Sequence, residues 1–173
     1  MHDVLSKAAQ VQLVIFDVDG VLTDGRLYMG NDGNEYKAFH IRDGHGIRML
    51  LDSGVEVAII SGRNAVSVER RMIDLGIRYA YLGIQDKRAA FDSLLTRLNL
   101  TPQQVAYVGD DLIDLPVMTQ VGLAIAVQDA DPFVQQHAHW RTPSQGGRGA
   151  ARDVCELVLE ARGQLAAVRE RYL

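Results

Sequence analysis

The sequence has little cysteine and no long apolar run. Cys155 is the one cysteine among 173 residues, which excludes an internal disulfide framework and predicts a reducing, cytoplasmic location. Apolar runs such as Val57–Ile60 fall far short of the ~18 residues that a membrane helix needs. Residues Met1–Gln10 lack a basic start followed by an apolar stretch, so we expect no secretory signal.

An excess of positive charge is also absent. The chain has 18 basic and 22 acidic residues, a net charge of −4, which gives no electrostatic support for nucleic acid as a partner. Lysine occurs only at Lys7, Lys37 and Lys87, so a lysine close to a predicted site is a candidate for a specific role. The length and the 47 % of hydrophobic residues predict one domain over residues 1–173 with a sizeable core.

Apolar segments with strand character alternate with amphipathic segments along the chain. We predict strands at Val11–Phe16, Val55–Ile60, Ile77–Leu82, Val105–Val108 and Leu123–Val127. We predict helices at Gly44–Ser53, Asn64–Leu75, Asp86–Leu98, Ile113–Thr119 and Ala150–Arg171, the last interrupted near Gly163, and a helical turn at Thr101-Pro102. This alternation is typical of a doubly wound α/β fold with a mostly parallel sheet.

Two segments stand outside the alternation. Asp24–Phe39 contains two short β-like pieces, Arg26–Met29 and Glu35–Phe39, around a turn rich in Asn, Asp and Gly, which predicts a β-hairpin. Gln145–Gly149 carries three glycines and is predicted to be flexible, so residues 145–173 form a tail and a helix.

Carboxylates follow the first predicted strand directly, in Asp17-Val18-Asp19-Gly20. Ligands of doubly wound sheets bind outside the carboxyl ends of the strands, and Gly20 permits the turn that both side chains need to reach the ligand. The alternative interpretation is a solvated Asp-Gly turn.

A second acidic cluster, Asp110, Asp111 and Asp114, follows the fourth predicted strand. Carboxylates this close repel one another without a cation, and an all-oxygen set indicates Mg²⁺. One of these acids could instead cap the next helix.

Two further groups could bind phosphate. Ser61-Gly62-Arg63 lies between the second strand and a helix, where a hydroxyl and free N–H groups can hold an anion, although ordinary helix capping also fits. Lys87 lies at a helix N-terminus, which is an electrostatically unfavourable place for a cation. The alternative interpretation is that Lys87 is an ordinary surface lysine. Together, the carboxylates, hydroxyl, lysine and Mg²⁺ suit phosphoryl transfer through a carboxylate nucleophile. The hypothesis of a metal site at His137 and His139 has little support, because positions i and i+2 of a helix do not face each other.

The four motifs, in this order, resemble the haloacid dehalogenase (HAD) phosphohydrolases. The resemblance implies that Asp17 is the nucleophile and Asp19 the general acid/base, with Lys87 completing the catalytic set. It implies Mg²⁺ bound by Asp17, Asp19 and Asp110, supported by Asp111 or Asp114.

The chain also lacks room for the cap domain of most HAD enzymes. The chain resembles the capless 3-deoxy-D-manno-octulosonate 8-phosphate (KDO 8-phosphate) phosphatases of lipopolysaccharide precursor biosynthesis. The resemblance lies in the missing cap and in the segments Phe39–Ile47 and Gly146–Ala150. That likeness implies a homotetramer in which hairpins pack together and a neighbour covers the active site. The sister phosphatases of nine-carbon sialic-type sugar 9-phosphates share the framework, but Arg63 favours the eight-carbon acid. We expect substrate contacts from Asp19, Thr23, His40, Ile41, Arg42, Asp43, Gly44, Arg48, Ser61, Gly62, Arg63, Arg71 and Lys87.

Two alternatives belong to other functional classes. A phospho-receiver domain also combines acids, a hydroxyl and a lysine on a doubly wound sheet, but there the lysine follows the acceptor aspartate late in the chain. A non-catalytic assembly domain of the same fold would be expected to lack a catalytic group, and none is missing here.

Overall fold

A six-stranded parallel sheet forms the centre of the protein. The computed structural model describes residues 1–173, and the sheet confirms the predicted fold class. In chain order its strands are β1 (Leu13–Phe16), β4 (Glu56–Ile60), β5 (Tyr79–Tyr81), β6 (Val105–Gly109), β7 (Leu123–Ala126) and β8 (Trp140–Arg141). Their spatial order is β5-β4-β1-β6-β7-β8, and every neighbouring pair is parallel.

Helices connect the strands and cover the sheet. They are α1 (His2–Ala9), α2 (Ile41–Asp52), α3 (Val66–Leu75), α4 (Lys87–Leu98), α5 (Leu115–Met118), α6 (Pro132–Gln136), α7 (Ala150–Ala161) and α8 (Leu165–Glu170), with 3₁₀ turns at Pro102–Gln104 and Leu112–Asp114. Asp86 caps α4 through hydrogen bonds from the backbone N–H groups of Arg88 and Ala89. No helix of the protein has both the length and the apolar character that crossing a bilayer requires.

The central position of β1, β4 and β6 in the sheet explains why these strands are mostly apolar. All four residues of β1 are fully buried, because a parallel strand in this position is covered on both faces. The core is one cluster of 47 buried hydrophobic residues. Phe16 is in register with Ile59 of β4 and Val108 of β6, so the residues that follow these three strands emerge at the same edge of the sheet.

The predicted hairpin is present but shorter than expected. β2 (Tyr28–Met29) and β3 (Glu35–Tyr36) pair antiparallel, and the chain from Lys37 to His40 is irregular. Only this hairpin and α2 separate β1 from β4, so no cap domain is inserted there.

Several predicted boundaries were wrong. The first strand begins at Leu13 rather than Val11, and the third covers only Tyr79–Tyr81. The helix predicted to begin at Gly44 is α2, which begins at Ile41, so Arg42 and Asp43 lie in its first turn. The interruption predicted near Gly163 is confirmed, because the C-terminal helix is split into α7 and α8 and Gly163, just beyond the end of α7, has a φ of +67°. The short elements α6 and β8 and the eight-residue helix α1 were not predicted.

The glycine-rich segment before α7 does not fit the expected flexibility. Residues Gly146–Gly149, hereafter the glycine strap, pack closely against the loop that follows β1. The N–H of Gly147 donates to the carbonyl of Val21 at 2.9 Å. The glycines here permit close backbone packing rather than mobility.

Candidate active site

The ends of β1, β4 and β6 form one cleft, as predicted. A cavity of about 240 Å³ is lined there by Asp17, Asp19, Gly25, Ser61, Gly62, Arg63, Asp110, Asp111 and Ile113. Eight of these nine residues are polar or glycine, so the cavity suits a charged ligand. The solvated-turn alternative for Asp17 is wrong, because only 4 % of this residue is exposed.

Lys87 lies buried beneath this cleft. Its Nζ donates to Oδ1 of Asp17 at 2.7 Å and to Oδ1 of Asp114 at 2.7 Å. A third contact reaches the hydroxyl of Tyr107 at 3.3 Å. Lys87 is 4 % exposed, so the surface-lysine alternative is wrong. The ion pairs with two carboxylates offset the cost of placing a cation at a helix N-terminus.

Asp114 and Tyr107 complete the buried network. Oδ1 of Asp114 accepts from the Tyr107 hydroxyl at 2.7 Å as well as from Lys87. Oδ2 of Asp114 accepts from the backbone N–H groups of Asp110 and Asp111. Both oxygens of Asp114 are therefore engaged, which makes it a group that orients Lys87 and the acidic turn. Tyr107 was not predicted, although a tyrosine within the apolar run Val105–Val108 was a visible signal.

Burial and mutual repulsion raise the pKa values of the two facing carboxylates. Burial, followed by the charge of Asp114, raises the pKa of Asp17 to about 7, against the lowering influence of Lys87. Burial and the charges of Asp17 and Asp114 raise the pKa of Asp110 to about 8. Burial alone would lower the pKa of Lys87, but the two carboxylates outweigh it and raise that pKa. This is a site short of positive charge.

A divalent cation fits that shortage. Carboxylate oxygens of Asp17, Asp110 and Asp114 lie within 4.8 Å of one another. Because the oxygens of Asp114 are already taken, Asp17 and Asp110 remain available as ligands, and hard oxygen donors suit Mg²⁺. Asp111 is exposed, and its Oδ1 caps the 3₁₀ turn by accepting from Leu112 at 2.7 Å, so the capping alternative is correct for this one acid.

The loop that carries Asp19 is built on a glycine turn. Gly20 has a φ of +90°, a conformation that favours glycine. The hydroxyl of Thr23 accepts from the N–H groups of Gly20 and Gly25 and donates to the Val18 carbonyl, each at 3.3 Å. Thr23 is buried and does not line the cavity, so its position supports the loop rather than a substrate contact.

Lys37 is a functional candidate that the sequence interpretation missed. Its side chain is 1 % exposed and forms ion pairs with Asp19 and, at 3.1 Å, with Oε1 of Glu35. Glu35 also pairs with Arg63, and the hydrogen bonds from Lys37 lower the pKa of Glu35. These contacts tie the end of the hairpin to the acid/base candidate. The scarcity of lysine was the signal that could have identified Lys37.

Ser61 and its neighbours occupy the place predicted for a phosphate site. Ser61 is buried, and its hydroxyl accepts from the N–H of Arg63 at 3.3 Å. The predicted helix start at Asn64 was early, because α3 begins at Val66. Ser61, Gly62 and Arg63 therefore form an irregular turn that lines the cavity.

The remaining predicted substrate contacts do not reach this cavity within the chain. His40, Asp43, Gly44 and Arg71 line a separate recess of about 10 Å³, room for about one water molecule. Ile41 is 83 % exposed. Arg42 is exposed, and Arg48 donates to the carbonyl of Leu75 at 3.2 Å. Six of the seven lie in or next to α2, and Arg71 of α3 lines the same recess as His40 and Gly44.

Asp43 contacts the start of α7, a role that the sequence did not predict. Its carboxylate is 2 % exposed and accepts from the N–H of Gly149 at 3.2 Å and from the N–H of Arg152 at 2.8 Å. It therefore caps the start of α7, which has no side-chain cap of its own. Burial raises its pKa despite these hydrogen bonds.

The two C-terminal histidines have separate partners. Nδ1 of His137 lies 2.8 Å from the Phe133 carbonyl. Nδ1 of His139 accepts from the Ala124 N–H at 2.8 Å. The group of possible metal ligands consists of the three aspartates Asp17, Asp110 and Asp114.

Comparison with known proteins agrees with this geometry. Residues 82–152 match the model of the haloacid dehalogenase-like hydrolase family. The chain is 55 % identical over 163 residues to the KDO 8-phosphate phosphatase KdsC of Escherichia coli K12, covering 94 % of this chain and 87 % of that protein. The KdsC phosphatase of Yersinia pestis is 54 % identical with the same coverage, and its crystal structure matches 95 % of this chain and 89 % of that one with a TM-score of 0.94.

A third relative carries ligands. The Moraxella catarrhalis KDO 8-phosphate phosphatase was solved in complex with magnesium, phosphate and KDO. It matches with a TM-score of 0.98 and 36 % identity, over 100 % of this chain and 99 % of that one.

The parallel sheet, the Asp-x-Asp loop after β1 and the buried lysine define a hydrolase of the haloacid dehalogenase-like class. Within that class, the chain belongs to the KDO 8-phosphate phosphatase family. This relationship favours the phosphatase interpretation over the receiver and assembly alternatives.

Proposed function

We propose that this protein hydrolyses KDO 8-phosphate to KDO and phosphate, a step of lipopolysaccharide precursor biosynthesis, through a phospho-aspartyl intermediate on Asp17. The observation that carries the reaction is the contact of 2.7 Å between Lys87 and Asp17 at the base of a polar cleft. The substrate follows from the 54–55 % identity to phosphatases with this activity.

The chemistry has two steps. An oxygen of Asp17 attacks phosphorus, the bond from phosphorus to the sugar oxygen breaks, and Asp19 gives that oxygen a proton. Asp19 then removes a proton from water as the water attacks the phosphoryl group, which releases phosphate and restores the Asp17 carboxylate. Lys87 holds one oxygen of Asp17 throughout, while Ser61 and its neighbouring N–H groups bind phosphoryl oxygens.

Mg²⁺ is the cofactor, and Asp17, Asp110 and the backbone carbonyl of Asp19 would hold it. When bound, the ion offsets negative charge on the phosphoryl group and on the carboxylates. Asp114 and Asp111 would support this arrangement by fixing the turn and the lysine. Asp110 has no competing hydrogen bond from a side chain, which suits the role of a ligand.

The cavity at the strand ends is by itself small for a sugar phosphate. A cavity of about 240 Å³ is below the ~300–1,000 Å³ of common ligand sites, so it suits the phosphate end. The hairpin exposes Leu27, Met29 and Tyr36 by 51–66 %, an apolar surface that favours burial. We therefore propose a cytoplasmic homotetramer in which hairpins pack together and a neighbouring subunit, through exposed residues such as Ile41 and Arg42, completes the sugar site.

A substrate panel tests this function. kcat/KM should be highest for KDO 8-phosphate, lower for a nine-carbon sialic-type 9-phosphate and lowest for p-nitrophenyl phosphate, and each should require Mg²⁺. Preference for the nine-carbon substrate would reassign the substrate while keeping the reaction. Absence of any phosphatase activity with Mg²⁺ present would overturn the proposal.

A further inference from the structure

The glycine strap is held in place at both ends and in its middle. The N–H of Gly146 donates to Oδ1 of Asp129 at 2.9 Å. The N–H of Gly147 donates to the Val21 carbonyl, and the N–H of Gly149 donates to Asp43. A segment with three such bonds has a fixed path.

The strap touches the catalytic loop more closely than any other residue type would allow. A Cβ added to Gly146 would lie 1.7 Å from the carbonyl oxygen of Gly20. A Cβ added to Gly147 would lie 2.4 Å from the backbone carbon of Thr23. Both distances are far shorter than van der Waals contact, so the strap lies backbone-to-backbone against the loop that carries Asp19.

Gly20 is also packed closely against Asp110. A Cβ added there would lie 2.0 Å from Oδ2 of Asp110. Gly20 is therefore in close contact with both the glycine strap and the carboxylate of Asp110. Gly20 directly follows Asp19, whose carbonyl is a proposed metal ligand, and Asp110 is itself a proposed ligand.

Asp43 anchors the C-terminal end of this arrangement. Its two oxygens accept from the first N–H groups around the start of α7, and α2, which carries Asp43, packs on α7. A buried carboxylate with both oxygens engaged holds its partners in one geometry.

We propose that Asp43 and Asp129 are positioning residues that hold the glycine strap, and that the strap sets the spacing between the Asp19–Gly20 backbone and Asp110. The strap thereby controls Mg²⁺ affinity without touching the ion. Loosening it lets Gly20 move away from Asp110 and separates two of the ligands. This inference rests on the metal site of the proposed function.

A pair of glycine variants isolates this effect. Gly147→Ala and Gly163→Ala place alanine at nearly the same φ, +63° and +67°, but a Cβ at Gly163 meets nothing within 4 Å. The strain of a positive φ is therefore comparable in the two variants, and the clash with the backbone of Thr23 and Asp24 is confined to Gly147→Ala. We expect Gly147→Ala to bind Mg²⁺ about 10–100-fold more weakly in calorimetry of metal-free protein, as for other residues that support metal ligands. Gly163→Ala should bind it as the wild type does.

Asp43→Asn provides a milder test if Gly147→Ala fails to fold. The amide keeps one acceptor oxygen and loses the other, so we expect Mg²⁺ affinity to fall about tenfold with circular dichroism unchanged. A purely structural cap would lower the melting temperature of the metal-free protein and leave the Mg²⁺ affinity unaltered.

The outcomes separate this inference from the proposed function. Wild-type affinity for Mg²⁺ in Asp43→Asn and in folded Gly147→Ala would overturn the role of the strap while leaving the metal site intact. Failure of the wild-type protein itself to bind Mg²⁺ would overturn the metal site, and the inference with it.

Discussion

The Nζ of Lys87 lies 2.7 Å from Oδ1 of Asp17, although the two residues are 70 positions apart in the sequence. The contact joins the first turn of α4 to the end of β1 and is buried from solvent. It fixes one oxygen of the proposed nucleophile, and the second carboxylate beside Lys87, Asp114, fixes the ammonium in turn.

Replacing Lys87 by methionine should remove the group that orients Asp17 and the cation that stabilises the buried carboxylates. We expect kcat to fall about 10²–10³-fold, as when a donor to the transition state is lost. The metal-free protein should also lose about 3 kcal/mol or more of unfolding free energy near neutral pH, because buried carboxylates lose their partner. Steady-state kinetics and denaturant unfolding measure the two effects. Lys7→Met is the control, and a Lys87→Met enzyme as active as this control would contradict the assignment.

The variant Asp19→Asn should slow turnover without removing the nucleophile. Because an amide neither gives nor takes the proton, kcat for an alkyl phosphate should fall about 10²–10⁴-fold. The loss should be smaller for p-nitrophenyl phosphate, whose leaving group needs little protonation. Equal losses for both substrates would argue against a role as general acid.

Magnesium should stabilise the protein more at high pH than at low pH. In the metal-free protein, the pKa values of Asp17 and Asp110, about 7 and about 8, lie above their ordinary value of 3.8. Between the ordinary and raised values the folded state holds more protons than the unfolded state, so metal-free stability falls as pH rises. Mg²⁺ must displace those protons, so its affinity rises over the same range.

Thermal unfolding with and without Mg²⁺ at about pH 6 and about pH 8 measures this linkage. We expect the larger increase in melting temperature at the higher pH. An equal or larger increase at the lower pH would mean that the carboxylates are already ionised without metal. EDTA should abolish activity, and added Mg²⁺ should restore it.

Lys37→Met should disturb the site from the hairpin side. Without this buried ammonium, Asp19 and Glu35 keep only the half-exposed Arg63 as a shared cation, and Asp19 is held less firmly. A misplaced catalytic group costs about 10²-fold in turnover, so kcat should fall markedly while Lys7→Met retains full activity. A change in KM alone would assign Lys37 to substrate binding rather than to positioning Asp19.

The parts of the site that follow strand ends could be predicted from the sequence. Asp17, Ser61 and Asp110 each come directly after an apolar run, and the parallel sheet brings their strand ends together whatever the details of packing. The same rule explains why the fold class was predicted correctly from alternating elements alone.

Residues that act through side-chain packing could not be predicted in this way. Lys37 reaches Asp19 from an irregular segment, and Asp43 contacts the start of α7 through the packing of α2 on α7. The glycine strap was interpreted as flexible, because glycine permits both a mobile chain and a close backbone contact. Only the three-dimensional packing distinguishes these two cases.

The most direct test of the account is to locate the phosphoryl group on the enzyme. Enzyme mixed with substrate and Mg²⁺ would be quenched in acid during turnover, reduced with borohydride and digested for mass spectrometry. Borohydride converts an aspartyl phosphate to homoserine, so we predict homoserine at position 17 in the wild-type protein and none in Asp17→Asn. Homoserine at position 19 or 110 instead, or an unmodified Asp17 under conditions of rapid turnover, would contradict the proposed intermediate.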